Sequence, residues 1–220
     1  MKQTAIIIGS TGLIGNSLLE LLINENQYEK IIAFVRKPII SSNKKLVYVE
    51  TDFSKLSKIE HQIKGDCLFV CIGSTMAKAG SKEAFTMVDY TIPTQFAKIA
   101  LKNAVSSCIV VSSLGADANS SNFYLQTKGK MEKTIVALGF KNTIFMRPSM
   151  LFGERTEFRM GELIGKFFMK ILGPLFLGPL KKYKGIEGST VAQAMLLESL
   201  KPFNGIKVYE SNQIDILSKK

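Results

Sequence analysis

The residues of this chain best suited to chemistry are a tyrosine and a lysine. Tyr124 and Lys128 stand four apart in Tyr124-Leu125-Gln126-Thr127-Lys128, and that spacing puts them on one face of a helix. An ammonium about 5 Å from a phenolate contributes roughly 3 kcal/mol at an effective dielectric of 20, enough to lower a tyrosine pKa by about two units. A tyrosine so placed exchanges a proton with a carbonyl or an alcohol near neutral pH, while a serine hydroxyl holds the same oxygen. Ser112 and Ser113, which close an apolar run upstream, offer that hydroxyl. The spacing alone says little, because a chain with 6 tyrosines and 25 lysines holds on the order of one such pair by chance. The competing reading pairs Lys128 with Glu132, also four residues on, and leaves Tyr124 to pack.

Position gives the pair its weight. Gly9-Ser10-Thr11-Gly12-Leu13-Ile14-Gly15 follows the first apolar run and opens the first helical pattern. Glycines there allow a tight turn and a close backbone approach, so that helix N-terminal amides can meet a pyrophosphate. An NAD site would present an acid to the ribose about 20 residues further on, but no acid lies between Glu29 and Glu50. The second apolar run ends instead in Arg36-Lys37, cations suited to a 2′-phosphate. The expected cofactor is therefore NADPH/NADP in preference to NAD, against the plainer reading of two solvated loop cations. Asp52-Phe53 ends the third run, where a carboxylate and backbone could meet the adenine. Ile72-Gly73 ends the fourth, where the ribose could lie close to the chain.

These loops need a scaffold that brings them to one edge. Apolar runs recur at Thr4 to Ile8, Ile31 to Val35, Leu46 to Val49, Cys67 to Ile72, Ile109 to Ser112 and Thr143 to Met146. They barely alternate, as strands buried on both faces of a parallel sheet do. Helical faces intervene, with Ile14, Leu18, Leu21 and Leu22 on one and Val88, Ile92, Phe96 and Ile99 on another. The expected fold is α/β, a Rossmann-type doubly wound parallel sheet whose ligand sites lie at the carboxyl ends of the strands. At 220 residues the chain suits a single domain, with a core over about 1–150 and a small substrate cap over about 151–220.

Composition excludes other classes. With 46% hydrophobic and 21% charged residues the chain is neither disordered, collagenous nor coiled-coil. Cys67, Cys71 and Cys108 are odd in number and lack metal-ligand spacing, so neither a disulfide framework nor a metal site is expected, and a reducing, cytoplasmic setting is. His61, the only histidine, sits among polar residues and reads as a surface group. Lys2 ahead of Ile6 to Ile8 imitates a signal peptide, but the glycines and the missing cleavage site argue against one. The net charge of +11 is uneven: residues 1–122 carry 13 basic and 10 acidic groups, residues 123–220 carry 16 and 8. Leu163 to Leu180, rich in Phe and Leu and followed by Lys181, Lys182 and Lys184, reads as a lid or core segment, or as a patch for an anionic membrane surface. No nucleic-acid motif is present, and the oligomeric state is open.

The chain resembles the short-chain dehydrogenase/reductase superfamily, most closely the atypical branch that contains the animal Tat-interacting oxidoreductase-like protein. The resemblance rests on Ile8 to Gly15, Phe34-Val35-Arg36, Cys71 to Thr75 with Lys78-Ala79-Gly80, Ser112 to Ala116, Ser121 to Glu132 and Phe145-Met146-Arg147-Pro148. It implies a Rossmann NADPH site with Thr11 to Ile14 on the phosphates, Arg36 and Lys37 on the 2′-phosphate, and Ile72 and Gly73 under the ribose. Tyr124 would be the proton donor, Lys128 would bind ribose, and Leu151 and Arg159 would lie near the nicotinamide. It favours Ser113 over Ser112 as the catalytic serine, at a spacing to Tyr124 shorter than in many members. The expected function is hydride transfer to or from a small carbonyl or alcohol. The alternative is an NADPH-binding regulatory or redox-sensing protein with little or no turnover.

Overall fold

In the computed structural model, which describes residues 2–153 and 184–219, the first strand shows how the sheet is filled. Along β1 (Gln3–Ile8), Ala5 and Ile7 belong to one core cluster, Ile6 and Ile8 to another. Side chains alternate across a strand, so an unbroken apolar run fills both faces at once. β2 (Tyr28–Val35), β3 (Leu46–Glu50), β4 (Cys67–Val70), β5 (Ser107–Val111) and β6 (Asn142–Arg147) match the remaining apolar runs to within a few residues.

The main sheet is wholly parallel in the order β3-β2-β1-β4-β5-β6-β9, where β9 is Gly205–Glu210. The order reverses between β1 and β4, which opens a crevice at their carboxyl ends. On one face lies α1 (Leu13–Asn24), packed against α6 (Gly188–Ser199). On the other lie α4 (Ile92–Lys102) and α5 (Phe123–Leu138). Two short helices, α2 (Met76–Ala79) and α3 (Lys82–Thr86), follow β4. β7 (Leu151–Phe152) and β8 (Ile186–Glu187) form a separate parallel pair, and α7 (Ser211–Leu217) ends the described chain.

Much of the stretch expected as a cap therefore belongs to the main layers. β9 adds the seventh strand and α6 shields the β1 face, with Val191, Ala192, Ala194 and Met195 all fully buried. Arg159 and the Leu163 to Leu180 segment lie outside the described residues. No helix among the described residues is long and apolar enough to cross a membrane.

The helix expected around Val88 to Ile99 departs from a single α-helical face. Pro93 has no N–H to offer the Asp89 carbonyl four residues back, and its ring crowds that oxygen. Just ahead of it the chain widens into a π turn over Met87–Thr91, the kind of bulge often found at functional sites. Val88 is left half-buried, and Asp89 is fully buried.

Candidate dinucleotide and proton-transfer site

The loop from β1 to α1 is held against β4 by backbone contact. The Cys71 amide donates to the Ile8 carbonyl at 2.9 Å, and the Gly12 amide to the Gly9 carbonyl at 3.0 Å. Gly9 has φ +83°, and a Cβ there would lie 2.5 Å from the Ile72 nitrogen and 2.6 Å from the Cys71 carbonyl carbon. One on Gly15 would lie 2.1 Å from the Gly9 oxygen. Only glycine fits at either position. Ile14 is buried in the core, and Leu13 packs under Gly153 and Gly188, so these residues offer the solvent side their amides rather than their side chains. α1 has no side-chain cap and no acid in its first turn. Its leading amides and dipole are thus available to an anion, and the cradle fits a pyrophosphate. Ser10 sits inside it, with a buried hydroxyl that finds no partner among the described residues.

Arg36 and Lys37 follow the end of β2 and are exposed. Neither has a carboxylate partner among the described residues. Asp52 lies beyond β3 but is engaged locally: it accepts from the Ser54 amide and hydroxyl, at 3.0 and 2.7 Å. Those bonds hold its pKa below the usual value. The Phe53 ring is turned into the core, tilted against Phe96 with centroids 5.7 Å apart. The Phe53 ring is therefore not left for an adenine, while the Asp52 side chain stays 57% exposed.

Beyond β4 the sequence-predicted residues draw together around one that sequence reasoning missed. Asp89 Oδ2 accepts the Ser74 amide at 2.8 Å, and Lys128 Nζ lies 2.8 Å from Oδ1. The contact pairs the charges without a well-directed hydrogen bond to Oδ1. A Cβ on Gly73 would stand 3.2 Å from Asp89 Oδ1 and 3.6 Å from Lys128 Nζ, so Ile72-Gly73 passes directly over the pair. Burial works to lower the Lys128 pKa, but the Asp89 and Tyr124 charges and the Asp89 contact outweigh it and hold it above the ordinary value. Lys128 is an ammonium kept charged in a site where its side chain is 5% exposed.

Glu132 is not the partner of Lys128. It takes Arg147 in a two-pronged pair, Nε to Oε1 at 3.0 Å and Nη2 to Oε2 at 2.5 Å. That fork matches guanidinium to carboxylate as an ammonium cannot. α5 is capped by Asn122, whose side chain accepts the Leu125 amide at 3.2 Å, and the Tyr124 ring lies 5.4 Å from that of Phe85. Tyr90 and Thr134 tie the π turn to α5 through their hydroxyls, 3.2 Å apart. After β5, Ser112 is 4% exposed, and its hydroxyl has no partner among the described residues. Ser113 is half-buried and makes a 3.4 Å bond to the Leu114 carbonyl. Leu151, half-buried in β7, is held where the Ile186 amide meets the Met150 carbonyl at 2.9 Å.

A parallel sheet with its glycine cradle at the β1/β4 switch point defines a Rossmann dinucleotide-binding protein. A family profile described as NAD(P)H-binding matches residues 9–168, and the chain belongs to that family. The chain is 35% identical to "Protein FMP52, mitochondrial" of Debaryomyces hansenii, over 99% of both chains. It is 37% identical to the protein of that name from Candida albicans, over 70% of each. Its fold resembles the Bordetella bronchiseptica enzyme WbmH in complex with NAD+, at TM-score 0.73 and 15% identity, covering 100% of this chain and 80% of that one. It also resembles the oxidoreductase ylbE of Lactococcus lactis, at TM-score 0.56 and 21% identity, covering 69% and 71%. These relatives are named for FMP52 and not for the Tat-interacting protein, so the coarser placement among NAD(P)H-binding Rossmann proteins is the one that stands. The cytoplasmic setting expected from the cysteines is overturned, since relatives matching the chain nearly end to end are named mitochondrial. All three thiols are free, but free thiols report reducing surroundings, and more than one compartment is reducing.

Proposed function

We propose that this chain is an NADPH-dependent oxidoreductase of the short-chain dehydrogenase/reductase type, one domain acting on a small carbonyl or alcohol. The observation that carries this reading is the ammonium of Lys128, buried and ion-paired beneath Gly73, four residues along α5 from Tyr124. The turn from Gly9 to Gly15 holds the pyrophosphate, Gly9 and Gly12 shaping it and the amides of Ser10, Thr11, Leu13, Ile14 and Gly15 meeting the phosphates. Arg36 and Lys37 hold the 2′-phosphate, and the backbone at Asp52 and Phe53 flanks the adenine. Ile72, Gly73 and Lys128 meet the ribose, with Leu151 toward the nicotinamide. When bound, the cofactor supplies or accepts the hydride. Tyr124 gives its proton to the carbonyl oxygen in reduction and recovers it from the hydroxyl in oxidation, the Lys128 charge stabilising the phenolate between. Ser113 holds that oxygen, being more accessible than Ser112. The names of its relatives support a mitochondrial location.

One observation favours the regulatory alternative. Asp89 at 2.8 Å cancels much of the Lys128 charge, so Tyr124 receives less help than an unpaired ammonium would give. NADPH and NADH titrations followed by nicotinamide fluorescence, in a chain with no tryptophan, test the cofactor assignment; equal affinity or none refutes it. A carbonyl panel with wild type and Tyr124→Phe tests the chemistry. The enzyme reading expects turnover to fall at least about 100-fold in the variant with NADPH affinity kept. Tight NADPH binding with no wild-type turnover would establish the regulator.

A further inference from the structure

Away from the dinucleotide edge, toward the amino ends of β1 and β2, the sheet carries a second concavity, a cleft of about 380 Å³. Its floor is Ile32, Val47 and Val49, of which Ile32 and Val47 are register neighbours. Val47 keeps 43% of its surface exposed, so the floor is apolar and part of it is wet. Lys30, His61 and Lys64, all exposed, form the rim. None of the three has a carboxylate partner among the described residues, and no acid lines the cleft. The acids nearest in sequence to the last two are occupied: Glu60 pairs with Lys102 at 3.1 Å, and Asp66 accepts the Thr4 amide at 2.7 Å.

A bare inorganic anion would satisfy this rim and leave Val47 in water. A neutral chain would cover the floor and leave the cations uncompensated. An anion carried on an apolar chain answers both, and the volume lies within the range of small-molecule sites. We propose that the cleft binds an amphipathic carboxylate, head group on Lys30, Lys64 and His61 and chain along Ile32, Val47 and Val49. The site is separate from the cofactor cradle, and nothing in it depends on the oxidoreductase reading.

His61 is the only histidine of the chain, so its imidazole proton signal reports on this cleft alone. Sodium octanoate, 1-octanol, hexanoate and inorganic phosphate are titrated in turn, with and without saturating NADPH. Octanoate is expected to shift the signal saturably, and NADPH to leave that binding unchanged. Octanol and phosphate should bind at least ten-fold more weakly. Hexanoate should bind about fifteen-fold more weakly, at about four-fold per methylene. Lys30→Gln with Lys64→Gln, both at exposed positions, should weaken octanoate at least ten-fold. An unmoved signal overturns the proposal, as do octanol or phosphate binding as well as octanoate, displacement by NADPH, or unchanged affinity in the lysine variant.

Discussion

Lys128 shows how one side chain's charge rests on another that sequence spacing could not indicate. Its sequence neighbours suggested Tyr124 or Glu132, four residues to either side; its ion-pair partner, Asp89, comes from the π turn ahead of α4. Asp89 was invisible because that stretch reads by its apolar positions, and nothing local marks an acid there as buried. A buried pair broken on one side leaves an uncompensated charge, which costs about 3–5 kcal/mol. Asp89→Asn is therefore expected to lower unfolding free energy by about that much in urea. Asp89→Leu with Lys128→Met, which removes both charges, should recover most of the loss; a double variant as unstable as the sum of the singles would contradict the pairing. Arg36 is the opposite case, a role proposed from sequence alone, because the missing acid and the cation both follow the second strand. If it grips the 2′-phosphate, Arg36→Ala weakens NADPH about 10- to 150-fold, roughly 1.5 to 3 kcal/mol, and leaves NADH nearly unchanged in the same fluorescence titration.

Strands were legible where they read as unbroken apolar runs and obscure where they alternate. β1 through β6 stood out as apolar runs, whereas Gly205–Glu210 alternates. Ile206 and Val208 are exposed on one side, while Lys207 and Tyr209 reach Glu198 at 3.2 and 2.8 Å. Edge position is not itself the reason, since β3 is the other edge and its Leu46 to Val49 run is apolar although Val47 is 43% exposed; alternation is what removes the continuous signal. α5 carries a second lesson in Gly129, next to Lys128. By propensity, alanine in a helix interior is better than glycine by about 1 kcal/mol. Here a Cβ would lie 2.2 Å from the Ala118 nitrogen and from the Asp117 carbonyl carbon, both backbone atoms with little room to yield. The clash outweighs the propensity. Gly129→Ala should destabilise the protein by about 2 kcal/mol or more and lower turnover, since the displaced loop links Ser113 to Tyr124. Thermal unfolding and kcat on the best substrate of the panel test this, and a stabilised variant would show that α5 does not press on that loop.

For the whole molecule, the thiols that misled about compartment set a pH limit on stability. Cys67 and Cys108 lie in the sheet, 3% and 0% exposed, and Tyr28 is fully buried. Burial pushes all three above their ordinary values, a neighbouring Cys108 adding to the effect at Cys67 and Cys67 to that at Tyr28. In the unfolded chain the thiols ionise near pH 8.5 to 9, while in the folded protein they stay neutral. Their contribution is therefore complete below that range and is lost as pH rises, because the unfolded state alone gives up protons. Glu198 sets the acid side. Burial would raise its pKa, but Lys201, Tyr209 and Lys207 together hold it below the usual carboxylate value. Its contribution is present above about pH 4.5 and fades as the folded carboxylate is protonated. Urea unfolding across pH should show a plateau between these limits. Above about pH 9 each buried thiol should add a fall of about 1.4 kcal/mol per pH unit. Cys108→Ala, whatever its effect at pH 7, should make that alkaline slope shallower by about one such increment. A slope unchanged from wild type between pH 9 and 10 would mean that the Cys108 thiol ionises alike in both states, and that the sheet interior does not hold it neutral.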